Sequence, residues 1–139
     1  MRINKKYTYF GAAVLWLLAS GCRNETSDML KGKWQLKTVE QAGAISTVDT
    51  VWYNFQSESL FMYQIYYAEK DSFVHQYGFK TQPEARTLQL ELISNPHPLK
   101  TFLPATDWEE GIRTFTIKKN TGNRLVLAGD GKDYVFIKL

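Results

Sequence analysis

Few side chains in this 139-residue chain are equipped for chemistry, and their spacing limits them further. There is one cysteine, Cys22, and there are two histidines, His75 and His97. The histidines lie far apart in the chain, not at the short His-x3-His spacing by which two imidazoles share a metal ion. His97 sits between Pro96 and Pro98, in loop-like surroundings. His75 alternates with Phe73 and Tyr77 and reads as a hydrogen-bonded lining residue rather than a ligand. Glu109 and Glu110 are adjacent, so in a strand they would point to opposite faces instead of converging as acid and base. Ser20-Gly21 and Gly129-Asp130-Gly131 match neither a nucleophile elbow nor a phosphate loop. The expectation is a protein that is not an enzyme and needs no metal or cofactor.

Cys22 stands apart because of what precedes it. Arg2, Lys5 and Lys6 form a positive leader without an acid, residues 7–18 are mostly apolar, and Ala19, Ser20 and Gly21 are small. Charge, apolar core and small-residue exit are the parts of a secretory signal. An apolar run of this length is short for a bilayer core, which takes roughly 20 helical residues. Ordinary cleavage would leave an unpaired thiol in an oxidising compartment.

Ala19-Ser20-Gly21-Cys22 resembles the bacterial lipobox. The resemblance implies a cleaved signal peptide over residues 1–21 and a diacylglycerol thioether plus an N-acyl chain on Cys22. One acyl chain holds a protein to a membrane only marginally, whereas two or more hold it firmly. Arg23 follows the cysteine in place of aspartate, which by the same resemblance favours the outer membrane, on its periplasmic face or at the cell surface. Residues 22–27 would be a lipidated tether and residues 28–139 the folded domain.

Removing residues 1–21 also removes three of the 17 basic residues and none of the 14 acidic ones, so the mature chain is electrically balanced. That removes the electrostatic argument for a nucleic-acid partner, which needs a clustered basic face, and none is expected. The remaining length suits one domain with its own core. Its aromatic content supplies the large apolar side chains that a small β domain needs.

Residues 27–31 can form one capped helical turn ending at Gly32. Beyond it the pattern is alternation between turn signals. Strands are expected over residues 33–41, 49–55, 60–68, 72–80, 86–93, 112–119, 124–128 and 132–139. Residues 81–85, with Pro83, read as a turn, and residues 120–123 as a hairpin turn. Residues 94–110, with Pro96, Pro98 and Pro104, form a connection too long to be merely a link. The expected fold is all-β: an eight-stranded antiparallel up-and-down barrel, since closure removes the free edges of such a meander.

Gly32-Lys33-Trp34 at the start of the first strand resembles the Gly-x-Trp signature of lipocalins. Together with the lipobox, the chain resembles the lipocalin-like lipoproteins of Bacteroides and its relatives over residues 28–139. The resemblance implies that Trp34 plugs the closed end of the barrel and that a basic residue from a late strand packs over it, with Arg124 and Arg113 as candidates.

A barrel of eight strands either fills itself or holds one small ligand. Its lining is expected from Val51, Tyr53, Phe55, Phe61, Tyr63, His75, Tyr77, Phe79, Leu88, Leu90, Phe115, Leu127 and Phe136. This apolar wall with a few hydroxyls suits a small hydrophobic ligand. The alternative is an envelope protein-interaction module with a filled barrel. It would use Trp52 and Tyr66 on the outer faces and Leu99, Phe102 and Leu103 of the proline-rich loop. The same loop reads equally well as a lid with Phe102 tucked in.

Overall fold

The computed structural model describes residues 29–139. The leader, Cys22, the tether and the capping residue Ser27 lie outside the described residues. Among the described residues no helix is long and apolar enough to cross a membrane.

The strands are β1 (Gly32–Gln41), β2 (Ala44–Thr47), β3 (Val51–Phe55), β4 (Leu60–Tyr67), β5 (Ser72–Glu84), β6 (Thr87–Leu92), β7 (Ile112–Asn120), β8 (Arg124–Gly129) and β9 (Lys132–Lys138). Every neighbouring pair is antiparallel, and β1 closes on β9 through pairs such as Trp34 with Lys138 and Val39 with Tyr134. The early part of β1 pairs with β3 and its later part with β2. β2 and β3 are therefore two halves of one barrel strand, interrupted at Val48, Asp49 and Thr50. The result is the expected closed eight-stranded barrel.

Turn chemistry sets the hairpins. Ala42 and Gly43 both take positive φ (51° and 82°), as do Asp130 and Gly131 (52° and 74°). Two successive left-handed residues match the twist of the strands they join. The expected turn at Pro83 is instead part of β5: the strand runs on to Glu84, and its pairing with β6 shifts register between Thr81 and Glu84. Proline has no N–H for the ladder, so an irregularity is where a strand can hold it.

Cross-strand partners share a face, and this corrects the reading of β5. The inward Phe61 and Tyr63 pair with Gly78 and Gln76, while Met62 pairs with Tyr77, Gln64 with His75 and Leu60 with Phe79. His75 and Tyr77 are therefore half-buried on the outer face, and Phe79 is 44% exposed. The interior positions of β5 are Val74, Gln76, Gly78 and Lys80. Volume is the reason: an added Cβ at Gly78 would lie 2.5 Å from the Phe61 ring and 2.6 Å from the Glu91 carbonyl. The ring of Phe61 takes the space, and the strand beside it must be slim there.

Trp34, Tyr53, Phe55, Phe61, Tyr63, Leu88, Leu90, Phe115, Leu127 and Phe136 are buried in the core, and Val51 packs against it. One end is shut by Trp34, whose Nε1 donates to the Leu30 carbonyl at 2.8 Å. Met29 and Leu30 are helical there. The cation over the Trp34 ring is neither Arg113 nor Arg124 but Lys138, with Nζ 5.4 Å from the ring centre. Strict alternation from Trp34 and Leu36 would turn Thr38 inward, but beyond a register shift in β1 it is Val39 that reaches the core.

Candidate functional site: a barrel mouth held by its own loop

The opposite end is covered by the residues between β6 and β7. They contain the one-turn helix α1 (Leu99–Phe102) and a 3-10 turn (Leu103–Ala105). The loop is tied down at both of its sides.

On the first side the tie is Gln76, which is fully buried. Its Nε2 donates to the carbonyls of Ile93 (2.6 Å) and His97 (2.7 Å), and its Oε1 accepts from the His97 amide (3.2 Å). A buried amide with its hydrogen bonds made is well placed; stripped of them it would be expensive. Ser94 Oγ accepts from the Leu99 amide at 3.1 Å, at the start of α1.

In the middle, two rings enter the barrel. Phe102 meets Tyr63 edge-on, with centroids 5.6 Å apart. Trp108, 4% exposed, lies nearly parallel to Phe61 at 6.4 Å and presents edges to Tyr53 and Tyr63. Its Nε1 donates to Tyr53 Oη at 3.1 Å. The indole is apolar over most of its area with one polar edge, so a single buried hydroxyl satisfies it. Thr106 Oγ1 accepts from the Trp108 amide (3.0 Å) and donates to the Leu103 carbonyl (2.8 Å), which fixes the ring's approach.

On the second side a charged cluster closes the mouth. Arg113 of β7 is 7% exposed, with its guanidinium 4.8 Å from the ring centres of both Phe115 and Tyr134. Nη1 reaches Asp107 Oδ1 at 3.4 Å, Nη2 donates to Tyr134 Oη at 2.7 Å, and Nε donates to Asp130 Oδ2 at 3.1 Å. Tyr134 Oη in turn donates to Asp107 Oδ2. Lys132 Nζ stands 4.0 Å from that carboxylate. Burial opposes the Arg113 charge, but the Tyr134 hydroxyl, with further help from Asp107, outweighs it and holds its pKa above the usual value. Burial and the hydrogen bond to Asp107 push the Tyr134 hydroxyl up to about 12. Burial does the same more strongly to Tyr53 and Tyr63.

The structure thus brings Tyr53, Phe61, Tyr63 and Phe115 together under the lid and leaves His75, Tyr77 and Phe79 outside it. Trp52 does lie on the outer face, but Phe73 at 5.2 Å and Lys33 at 5.6 Å cover it, so it is no exposed ring. Phe102 is inward, as a lid residue. Asp107, Trp108 and Gln76 are the site residues that the alternating pattern did not mark; the one signal for the first two was their place in a long proline-rich connection. Among the described residues no group of three His, Cys, Asp or Glu side chains could hold a metal ion.

Comparison with known proteins agrees with this fold. A sequence model described as a lipocalin-like domain matches residues 16–139. The fold is similar to the crystal structure of a lipocalin-like protein from Bacteroides uniformis, with 26% identity and a TM-score of 0.69 over 80% of this chain and 99% of that one. It is also similar to an uncharacterised protein from Bacteroides eggerthii, with 25% identity and a TM-score of 0.63 over 78% of this chain and 98% of that one. No curated protein matches the chain.

Proposed function

The chain belongs to the lipocalin-like domain family, and on that premise we propose that it is a lipid-anchored envelope protein whose barrel takes a small apolar ligand at the mouth now held by Phe102 and Trp108. The observation that carries this reading is that the rings enclosed at the mouth, Phe102 and Trp108, come from a loop and not from a barrel strand. A strand residue cannot leave without breaking the ladder. A loop ring can, and it would leave behind an apolar sleeve of Tyr53, Phe61, Tyr63 and Phe115, the kind of wall that binds small molecules.

Support for the anchor lies in the sequence, in the charged and apolar leader that stops at Ala19-Ser20-Gly21-Cys22. Leu30 lies at the Trp34 end, so a tether leaving from there would hold the closed end toward the bilayer and turn the mouth away from it. The expected location is the outer membrane.

A second reading, a docking module with a filled barrel, draws on the outer face of β4 and β5. There Leu60 pairs with Phe79 and Tyr66 with Phe73, and Phe73 is 47% exposed. Native mass spectrometry of the chain gently extracted from membranes separates the two. A small molecule carried by the monomer supports the pocket; a bare barrel in a stoichiometric protein complex replaces it with docking. In the same spectra the anchored form carries the mass of its acyl chains on Cys22. A Cys22→Ser chain that still fractionates with membranes would overturn the anchor.

A further inference from the structure

We propose that the closed end of the barrel is a docking face for an anionic phospholipid surface, the one that holds the Cys22 anchor. This rests on the reading of Cys22 as lipidated.

The mature chain is electrically balanced, but its charges are not evenly spread. The up-and-down order puts the β3–β4, β5–β6 and β7–β8 turns at the Trp34 end, with the start of β1 and the end of β9. The Lys138 amide donates to the Asn123 carbonyl at 2.9 Å there, and the Leu139 amide to the Lys33 carbonyl at 3.0 Å. This end carries Lys31, Lys33, Arg86, Lys119, Arg124 and Lys138 against Glu58, Glu84 and the Leu139 carboxylate. Lys80 is buried, and Lys118 is taken by Asp133 at 2.7 Å. Lys31, Arg86, Lys119 and Arg124 are exposed, and among the described residues none of the four is in an ion pair. The mouth has the reverse balance: Glu69, Asp71, Asp107, Glu109, Glu110 and Asp130 outnumber Lys70, Lys100, Arg113 and Lys132. A neutral protein polarised in this way is drawn to a negative surface by one end and repelled at the other.

The tether supplies an independent observation. Met29, the first of the described residues, lies at the same end, its Cε 3.8 Å from where a Cβ on Gly122 would stand. From Cys22 to Met29 is seven residues, a reach of at most about 25 Å. The tether itself holds Arg23 against Glu25 and Asp28, so the positive charge belongs to the fold. So short a link keeps the basic end at high local concentration over the headgroups. A gain of about fivefold for each cation near the surface then suffices to seat it.

The test uses the mature chain carrying Cys22→Ser, which has no acyl chain to hold it. It is floated with vesicles of phosphatidylcholine, alone or with about one third phosphatidylglycerol. Partition onto the anionic vesicles is expected to exceed that onto the neutral ones about tenfold or more at about 0.05 M salt, and to lose that margin at about 0.5 M. Lys119→Gln with Arg124→Gln is expected to lower binding to the anionic vesicles about tenfold or more. Lys37→Gln with Lys70→Gln changes net charge equally, on the outer wall and at the mouth, and is expected to leave binding within about twofold. All four side chains are exposed, so folding is not at stake. Equal binding to the two kinds of vesicle, or equal losses in the two variants, would overturn the docking face. Neither result touches the anchor, which fails instead if Cys22 carries no acyl mass.

Discussion

Gly78 shows how a single carbon decides which face of a strand is inside. The aromatics at positions 73, 77 and 79 alternate as regularly as those at 61 and 63, and period two separates two faces without saying which is buried. The hairpin register decides it. Tyr67 pairs with Ser72, so the turn holds four residues, Ala68 to Asp71, and odd positions on β4 meet even positions on β5. A three-residue turn beginning at Glu69 inverts that parity, and with it every side chain of β5. Once Phe61 is inside, only glycine fits opposite it. Gly78→Ala is expected to destabilise the barrel by about 1–3 kcal/mol in urea unfolding, the usual range for overpacking. Adding Phe61→Leu should return part of that loss, because the ring is one of the two obstacles and the Glu91 carbonyl is the other. A neutral Gly78→Ala would contradict the packing described.

The element that matters most for function is the connection between β6 and β7. Its backbone is held by a side chain from β5, and its rings are held by the barrel wall. Gln76→Ala removes the first hold and leaves the Ile93 and His97 carbonyls without that donor. A loss of about 2–3 kcal/mol is expected, with proteolysis and amide exchange accelerating in residues 94–110 before the strands are affected. Unchanged exchange at the His97 amide would show that the Gln76 bonds do not hold the loop. Three prolines in this segment announced a break in strand structure, but proline says where a ladder stops and nothing about where the following rings go.

At the scale of the whole molecule, closure places tyrosines among rings and raises their pKa values. Tyr53 and Tyr63 are raised by burial first, and Tyr134 reaches about 12 against an ordinary 10.0. These hydroxyls stay protonated in the fold after the unfolded chain has lost its protons. The unfolded state therefore binds fewer protons above pH 10, and stability must fall as pH rises from about 10 to about 12. A tenfold difference in proton affinity between the folded and unfolded states corresponds to about 1.4 kcal/mol. The urea midpoint is expected to decline steadily across that window, and Tyr134→Phe should make the decline shallower. A flat midpoint would mean that these hydroxyls reach solvent.

Much of the architecture was legible in the chain itself. Alternation marked every strand of the barrel, apart from the β2 half of its second strand, to within a few residues, and turn residues marked the hairpin at residues 120–123. Gly32-Lys33-Trp34 marked the closed end only through its resemblance to a family signature, whereas strand and turn were read directly. These signals are local: side-chain period and backbone handedness act over two to four residues, so neighbours in sequence suffice to express them. The filling of the barrel was decided otherwise. Which face of β5 turns inward, Lys138 rather than an arginine over Trp34, and the meeting of Asp107 with Arg113 and Tyr134 all join residues far apart in the chain. Such contacts depend on volume and charge in a closed space, and that space exists only after β1 has met β9.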